Sequence, residues 1–452
     1  MPPPLKPKEK FSSKPSAWEW ENKLSLSTLE IAEKAKPRQI FDVAAKAGIR
    51  LEEIEAYGHW KAKVSLELLE RLASRPSGKL ICVTGMTPTK EGDGKTCTSI
   101  GLTQALGLLK KKVMLTLREP SLAPIFGFKG GATGGGYSQV LPMEDINLHF
   151  TGDIHAIEIA HNLLAAVLEN HLHHGNALDI DKDHIFWRRT LDISDRQLRD
   201  IIVGMAKASH FAKYRTGFDI TAASEVMAVL SLSTSIHSFK SKLAKISVAL
   251  TREGKLVTAK DLKAAGAMAL LMKDALKPNL VQTLEGQPVF IHTGPFANVS
   301  HGNSSLLATQ MALKLANYVV TESGFAADLG LEKLFDIVCR EGGIRPSVVV
   351  MVVSLKALRS HAAKAGAKRG PDMFKAWDLF KEGFSNVRRH VDNIRKFGVE
   401  PVIAINRFPD DTEDDLRLVR EYFQSIPVEC AVSEVVRHGG RGGVTLAEKV
   451  LK

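Results

Sequence analysis

The segment 80–117 restricts the possible fold more than any other part of the chain. A short apolar run, Leu80–Thr84, is followed by a glycine-containing loop, a helical pattern from about Thr96 to Leu109, and a second apolar run, Val113–Leu117. Strand, loop, helix and strand in this order form the βαβ unit of a parallel sheet. Similar runs at 289–292, 318–321, 347–353 and 401–406 predict further strands, and their near-continuous Val and Ile content indicates that helices cover both faces of the sheet.

The pattern predicts an α/β fold with a P-loop NTPase-like parallel sheet flanked by helices. We expect a main nucleotide-binding domain over residues 25–360, with a mostly helical inserted region at 155–280. A smaller α/β domain is expected over 373–452, after the basic, small-residue stretch Ala362–Asp372, which is typical of a loop. Residues 1–24 are rich in Pro and Lys and lack an apolar segment, which predicts a disordered basic tail rather than a secretory signal.

Composition excludes several classes of protein. No stretch approaches the ~18 apolar residues of a membrane span, and the four cysteines form no CxxC pair that would indicate a zinc site or a disulfide framework. The net charge of +11 favours anionic partners. Because basic residues are dispersed and aromatic residues are only 6%, we expect small-molecule anions rather than nucleic acid as partners. The lack of an apolar span predicts no membrane partner, and so few cysteines in a chain of this size fit a reducing, cytoplasmic location.

The loop Thr87–Thr96, TPTKEGDGKT, is the strongest local signal for chemistry. Backbone N–H groups in a loop before a helix can bind phosphate oxygens. Lys95 is positioned to reach the outer phosphates, and the Thr96 hydroxyl suits Mg²⁺. The Walker pattern GxxxxGK[ST] requires glycine where this chain has Thr89, so an ordinary glycine turn before a helix remains the alternative.

Two further segments carry candidate site residues. The run Lys129–Tyr137 has five glycines in the seven positions 130–136, which is typical of close backbone approach to a ligand or of a tight crossing; a flexible surface loop is the alternative. Arg118 follows the second predicted strand, where ligands bind in open α/β sheets, and it could hold a carboxylate or phosphate or make a surface ion pair. After the glycine run comes a group of titratable side chains that suits either an active-site wall or a capping network: Glu144, Asp145, His149 and Asp153.

Taken together, the long motifs of this chain resemble the formate–tetrahydrofolate ligase (formyltetrahydrofolate synthetase) family. The matching runs extend from the phosphate loop onward, in the family's order. They include TPTKEGDGKT, REPSLAPIFGFKGGATGGGYSQVLPMEDINLHFTGDIHAI, FDITAASEVMAVL, KDALKPNLVQTLEGQPVFIHTGPFANVSHGNSS, YVVTESGFAADLGLEKLFDI and INRFPDDTEDDL. The resemblance implies an ATP-dependent ligase that converts formate to formyl phosphate and then forms 10-formyltetrahydrofolate.

The resemblance also implies roles for particular residues. Lys95 and Arg118 would be catalytic, with Arg118 holding formyl phosphate, and Thr96 would be the metal ligand. Phe325 and Phe408 would line the nucleotide and pterin pocket. The residues implied to bind ATP phosphates are Thr89, Lys90, Glu91, Gly92, Asp93, Gly94, Lys95 and Thr96. The expected ligands are ATP with Mg²⁺ and tetrahydrofolate, a monovalent cation is left open, and a homo-oligomer is expected.

Some positions depart from the family's pattern. Val436 stands where the family has a tryptophan that stacks on the pterin, and Ala326, Ala362 and Ala363 replace glycines. Alanine would be unfavourable at any of these positions that required a positive φ. The family's chains also continue past the final LAEKV-like run, so we expect this chain to be a C-terminally shortened relative. The alternative function is therefore a catalytically impaired or inactive nucleotide-binding relative with a regulatory or partner-binding role.

Overall fold

The computed structural model describes residues 26–89, 92–126, 133–205, 213–364 and 373–452. In these ranges the strands are β1 (Ile54–Ala56), β2 (Ala62–Val64), β3 (Lys79–Gly85), β4 (Val113–Leu117), β5 (Gly134–Gly135), β6 (Ser138–Leu141), β7 (Ile180–Ile185), β8 (Arg189–Thr190), β9 (Ile201–Val203), β10 (Tyr214–Thr216), β11 (Phe218–Asp219), β12 (Ser247–Thr251), β13 (Leu256–Thr258), β14 (Asn279–Thr283), β15 (Pro288–Ile291), β16 (Tyr318–Glu322), β17 (Pro346–Ser354), β18 (Pro401–Asn406) and β19 (Glu429–Ser433).

The α-helices are α1 (Thr28–Lys34), α2 (Ile40–Ala47), α3 (Glu67–Arg71), α4 (Lys95–Leu108), α5 (Leu122–Ile125), α6 (Met143–Asn147), α7 (Asp153–His173), α8 (Glu225–Ser231), α9 (Ile236–Ala244), α10 (Ala265–Leu271), α11 (Leu306–Leu315), α12 (Gly330–Lys333), α13 (Arg340–Gly342), α14 (Leu355–Lys364), α15 (Met373–Lys396), α16 (Glu413–Gln424), α17 (Val435–His438) and α18 (Val444–Leu451). A π-helical stretch, Leu334–Cys339, joins α12 to α13.

The main sheet confirms the predicted α/β class. Its strand order is β1-β2-β14-β15-β4-β16-β3-β17-β18-β19, with β6 attached to β14 and β5 to β6. Each neighbouring pair from β15 to β19 in this order is parallel. The apolar runs predicted as strands near residues 80, 113, 289, 318, 347 and 401 are all strands of this sheet.

Both faces of the parallel sheet are buried, as its continuous apolar runs predicted. Along β3, Ile81 and Val83 pack into a core with residues of α4, and Cys82 packs into another core with residues of α14 and α15. This alternation follows from the two-residue period of a strand. Burial of each such side chain contributes about 1.5–3 kcal/mol relative to exposure. The sheet is therefore a rigid base for the loops at its carboxyl edge.

The prediction of a mostly helical region at 155–280 is wrong in part. The region does contain helices α7 to α10, and these share a hydrophobic core of their own. It also contains strands β7 to β13, in a three-stranded and two two-stranded sheets. These strands are short, and β7 (IDKDHI) is largely polar and exposed, so they lack the continuous apolar run that marks a strand of a buried parallel sheet.

The predicted division near residue 360 remains a prediction. Strands β18 and β19 of the expected C-terminal part continue the same parallel sheet beyond β17. Helix α14 extends to Lys364, so the first residues of the predicted loop 362–372 are helical, and the rest lie outside the described residues, as does the predicted tail 1–24. No helix within the described ranges combines the length and the apolar character needed to cross a membrane.

Candidate active site

The candidate site lies at the carboxyl edge of the parallel strands. The chain segments that follow β3, β4, β16, β17 and β18 carry nearly all the residues that the sequence pointed to. In sheet order β4, β16, β3, β17 and β18 are neighbours. Because parallel strands end at the same edge, these segments meet there although they are up to three hundred residues apart in sequence.

The loop that is predicted to bind phosphate, called the phosphate loop below, runs from the end of β3 to the start of α4. Gly92 and Gly94 both have a φ of +76°, a left-handed conformation that glycine adopts without a steric penalty. Helix α4 begins at Lys95, so the last loop residues present their backbone at a helix N-terminus. Lys90 and Glu91 of the predicted phosphate-binding set lie outside the described residues.

A neighbouring strand holds the second half of the loop. At the end of β18, Asn406 Nδ2 donates hydrogen bonds to the carbonyl oxygens of Asp93 (2.9 Å) and Gly94 (3.4 Å). Its Oδ1 accepts a hydrogen bond from Thr98 Oγ1 at 2.9 Å. The sequence analysis did not identify Asn406. A polar residue at the carboxyl end of a buried strand was the signal that could have revealed it.

Two histidines hold the first half of the loop. The backbone N–H of Thr87 donates to His390 Nε2 at 3.1 Å, and His361 Nε2 donates to the carbonyl oxygen of Thr87 at 2.8 Å. His390 therefore accepts at Nε2, which requires the neutral imidazole. Burial lowers the pKa of His390 and favours this form. The loop is thus fixed from α14, α15 and β18 before any ligand binds.

Lys95 lies inside this loop. The Lys95 side chain packs against Gly85, the last residue of β3. Its Cδ lies 3.3 Å from the position that a Cβ on Gly85 would occupy. Lys95 Nζ is 4.0 Å from Asp93 Oδ2, and its side chain is 15% exposed. The ammonium group is therefore enclosed by the loop while retaining access to solvent, as a phosphate-binding lysine requires.

One carboxylate connects Thr96 to Arg118. Glu322, the last residue of β16, accepts a hydrogen bond from Thr96 Oγ1 at 2.6 Å and another from Arg118 Nη2 at 3.3 Å. Arg118 Nη1 donates to the carbonyl oxygen of Pro295 at 3.3 Å. Thr96, at the end of the predicted phosphate-binding segment, and Arg118 thus both contact Glu322. The sequence analysis missed Glu322, although it lies in the run that contains Phe325.

A buried histidine close to Arg118 reflects the positive potential of this region. Burial, and then the nearby Arg118 and Lys333 cations, lower the pKa of His301 to about 3. His301 Nδ1 accepts from the backbone N–H of Asn303, and its Nε2 is 2.7 Å from Ser231 Oγ. The imidazole therefore carries its proton on Nε2 and donates it to the serine, so this pair does not activate a nucleophile. A cationic site of this kind favours anionic ligands.

The two predicted aromatic residues lie on loops at the same edge. Phe325 has a φ of +57°, unusual for a residue with a side chain. Phe408 follows β18, its backbone N–H donates to Asp411 Oδ2 at 2.7 Å, and Lys356 Nζ lies 4.9 Å above its ring. Both rings are thus attached to loops that also touch the phosphate site.

The substituted glycine positions do not strain the backbone. Ala326 is completely buried and is not among the described residues with a positive φ. Ala362 and Ala363 lie within helix α14, where φ is negative. The expectation that alanine would be unfavourable at these positions therefore does not apply, since none of them requires a left-handed conformation.

Val436 contacts the glycine-rich segment. Its carbonyl oxygen accepts a hydrogen bond from Tyr137 N at 2.9 Å and lies 2.1 Å from where a Cβ on Gly136 would be. Only glycine permits this approach. Of the glycine run, residues 129–132 lie outside the described residues. The described part therefore fits a tight crossing, in which this segment packs against α17, and close approach to a ligand stays a prediction.

Two of the acidic residues after the glycine run, Asp145 and Asp153, have structural partners. Asp153 forms a buried ion pair with Lys63 and accepts a hydrogen bond from Asn279 at 2.8 Å. Asp145 pairs with Lys61. This arrangement fits the hydrogen-bonded network rather than the active-site wall that the sequence left as alternatives.

A model of a protein family matches most of this chain. The model described as formate–tetrahydrofolate ligase matches residues 26–452. The match includes the phosphate loop, Arg118, Glu322 and the two aromatic loops, and it leaves out only the first 25 residues.

Proposed function

This chain belongs to the formate–tetrahydrofolate ligase family of enzymes, and we propose that it joins formate to tetrahydrofolate through formyl phosphate formed at the phosphate loop. The observation that carries the proposal is the convergence of Thr96 and Arg118 on Glu322 at the ends of three adjacent strands, with Lys95 next to Thr96 at the start of α4. Such a site brings a nucleotide phosphate and a second small anion together, as the transfer of a phosphoryl group to formate requires.

In the first step, Lys95 neutralises negative charge on the phosphates of ATP. A formate oxygen attacks the γ-phosphorus of ATP, the bond to the bridging oxygen breaks, and ADP leaves. Negative charge on the phosphate oxygens is stabilised by the Lys95 ammonium and by the backbone N–H groups of the loop that ends at Gly94. This reaction depends on positioning and on electrostatic stabilisation rather than on a nucleophilic side chain. The preformed loop meets this requirement, because Asn406 already holds it.

Arg118 is proposed to orient formate and then formyl phosphate. A guanidinium group offers planar, paired N–H donors that match a carboxylate or a phosphate. In the second step the folate amine attacks the formyl carbon, the carbon–oxygen bond to phosphate breaks, and the amine gives up a proton. Phosphate leaves with the bonding electron pair. Arg118 would stabilise the charge on this leaving group.

The pterin is proposed to bind between the aromatic loops. Phe325 and Phe408 lie at the same sheet edge as the phosphate loop, and Val436 lies on α17 against Gly136. Stacking of an aromatic ring on a nucleobase contributes about 1–3 kcal/mol, and a pterin is similar in size and flatness. Valine at position 436 provides no such ring, so we expect weaker folate binding than a tryptophan would give.

The residues at the loop suit Mg²⁺. The Thr96 hydroxyl and the Glu322 carboxylate are hard oxygen donors 2.6 Å apart, the ligand type that this cation prefers. When bound, Mg²⁺ would offset charge on the ATP phosphates. We propose no residues for a monovalent cation, and a homo-oligomeric state remains a prediction.

The proposal is tested by an assay for 10-formyltetrahydrofolate with ATP, formate and tetrahydrofolate, together with ADP release. We expect both products to appear only when all three substrates are present. Lys95→Ala should lower kcat about 10²–10³-fold, the usual effect of removing one preorganised group that stabilises the transition state. Lys111→Ala, at an exposed lysine beyond the end of α4, is the matched control and should retain full turnover.

The outcomes separate the two candidate functions. If the wild type binds ATP but forms no product under any combination of substrates, the chain is a nucleotide-binding relative without ligase activity. If Lys95→Ala and Lys111→Ala have equal turnover, the role proposed for Lys95 is wrong.

A further inference from the structure

We infer that Glu322 is a positioning residue that links the ATP–Mg²⁺ site to the formate site. One carboxylate oxygen holds Thr96 ready to receive the cation, and the other holds Arg118 in place for formate. This inference rests on the proposed function, because it assigns the residue that organises both anion sites.

The position of Glu322 in the fold suits this role. It ends β16, which lies between β4 and β3 and pairs in parallel with both. Arg118 follows β4, and Thr96 lies in the first turn of α4, which follows the phosphate loop after β3. Glu322 is 8% exposed, so its carboxylate is held in the protein rather than on a mobile surface side chain.

The direction of the hydrogen bonds determines what Thr96 can do next. Its hydroxyl proton is donated to Glu322 Oε2 at 2.6 Å. A hydroxyl has one proton and two lone pairs, so the oxygen is left with acceptor capacity for a cation. Thr96 and Glu322 together thus supply two oxygen donors for Mg²⁺, whereas a threonine whose proton was not held would sample several orientations.

The contact with Arg118 has a comparable effect on the anion site. Arg118 donates to Glu322 and to the carbonyl oxygen of Pro295, both at 3.3 Å. These two contacts fix the plane of the guanidinium group. The group has five N–H donors, so fixing it on two acceptors leaves others to bind a carboxylate or phosphate.

The charge of Glu322 provides a test that distinguishes this role from a structural one. A carboxylate next to a phosphate site repels nucleotide when Mg²⁺ is absent and attracts the cation when Mg²⁺ is present. Replacing Glu322 with glutamine keeps the shape and removes the charge. Its effect on nucleotide affinity should therefore have opposite signs in the two conditions, which general damage to the site cannot produce.

The experiment measures ADP binding by isothermal titration calorimetry, with Mg²⁺ in excess and with EDTA. For Glu322→Gln we expect affinity about tenfold or more weaker than wild type with Mg²⁺, and tighter affinity than wild type with EDTA. Glu53→Gln is the matched control, because Glu53 is also a buried carboxylate in an ion pair, with Arg71, but belongs to a different part of the fold. Glu53→Gln should leave the affinity for ADP unchanged, both with Mg²⁺ and with EDTA.

Steady-state kinetics test the second half of the inference. In Glu322→Gln the KM for formate should rise at least severalfold, since a neutral amide holds the Arg118 guanidinium more weakly than the carboxylate does. Equal weakening of ADP binding with and without Mg²⁺, or an unchanged KM for formate, would overturn the inference. Failure of the proposed function is distinguishable, because in that case the wild type itself would bind no ADP or form no product.

Discussion

Two glycines of the phosphate loop have the same backbone conformation but different surroundings. Gly92 and Gly94 both have a φ of +76°. A Cβ on Gly92 would meet no atom within 4 Å, whereas a Cβ on Gly94 would lie 2.6 Å from Asn406 Nδ2. Gly92→Ala therefore introduces backbone strain alone, and Gly94→Ala introduces strain and a collision. We expect Gly94→Ala to weaken nucleotide binding considerably more than Gly92→Ala.

The size of each effect follows from these contacts. A left-handed conformation costs a non-glycine residue roughly 1–2 kcal/mol, which corresponds to a loss of affinity of about 5- to 30-fold if the bound loop must keep it. In Gly94→Ala the new methyl group also displaces Asn406 Nδ2 from the carbonyl oxygens of Asp93 and Gly94. Loss of these buried hydrogen bonds adds about 1–3 kcal/mol, or a further factor of about 5 to 150 in affinity.

Calorimetric titration with ADP and Mg²⁺ measures these differences, with circular dichroism to confirm that each variant is folded. The same pair of substitutions is then made in an Asn406→Ala background. There the collision is absent, so Gly94→Ala should cost no more than Gly92→Ala. The reasoning is refuted if the two glycine variants bind equally in the wild-type background, or if the excess penalty of Gly94→Ala persists without Asn406.

Two further predictions concern the pterin site and the response to acid. Val436→Trp should tighten tetrahydrofolate binding about tenfold or more, a gain of ~1.4 kcal/mol, since the adjacent Gly136 offers no side chain to block the ring. ADP affinity should not change. Unchanged folate binding in a titration would show that position 436 does not contact the pterin. Burial lowers the pKa of His161 from its ordinary 6.5 to about 4. The unfolded chain therefore binds a proton at this residue more readily than the folded chain does. As a result, the free energy of unfolding keeps its full value above pH 6.5 and decreases as the pH falls toward 4. At pH 5 the free energy of unfolding is lower by about 2 kcal/mol. Urea unfolding at pH 7.5 and pH 5 should therefore show a smaller decrease in this free energy for His161→Gln than for the wild type. Equal decreases would contradict the lowered pKa of His161.

Much of the fold and part of the site follow from local features of the sequence. The apolar runs near residues 80, 113, 347 and 401 predicted buried parallel strands because a strand covered on both faces needs apolar residues at nearly every position. The glycine loop before α4 indicated a phosphate site for a similarly local reason, since a left-handed turn before a helix N-terminus is encoded in a few adjacent residues. The long motifs were also sufficient to predict the family, which the family model confirms.

The tertiary structure alone decided which of these features act together. Glu322 and Asn406 were not predicted as site residues, because the significance of each comes from contacts with residues more than two hundred positions away. Only the strand order, with β16 between β4 and β3, brings Glu322 to both Arg118 and Thr96. The short strands of the 155–280 region were missed for the same reason. Strand pairing depends on partners distant in sequence, whereas the preferences of helices and turns are largely local.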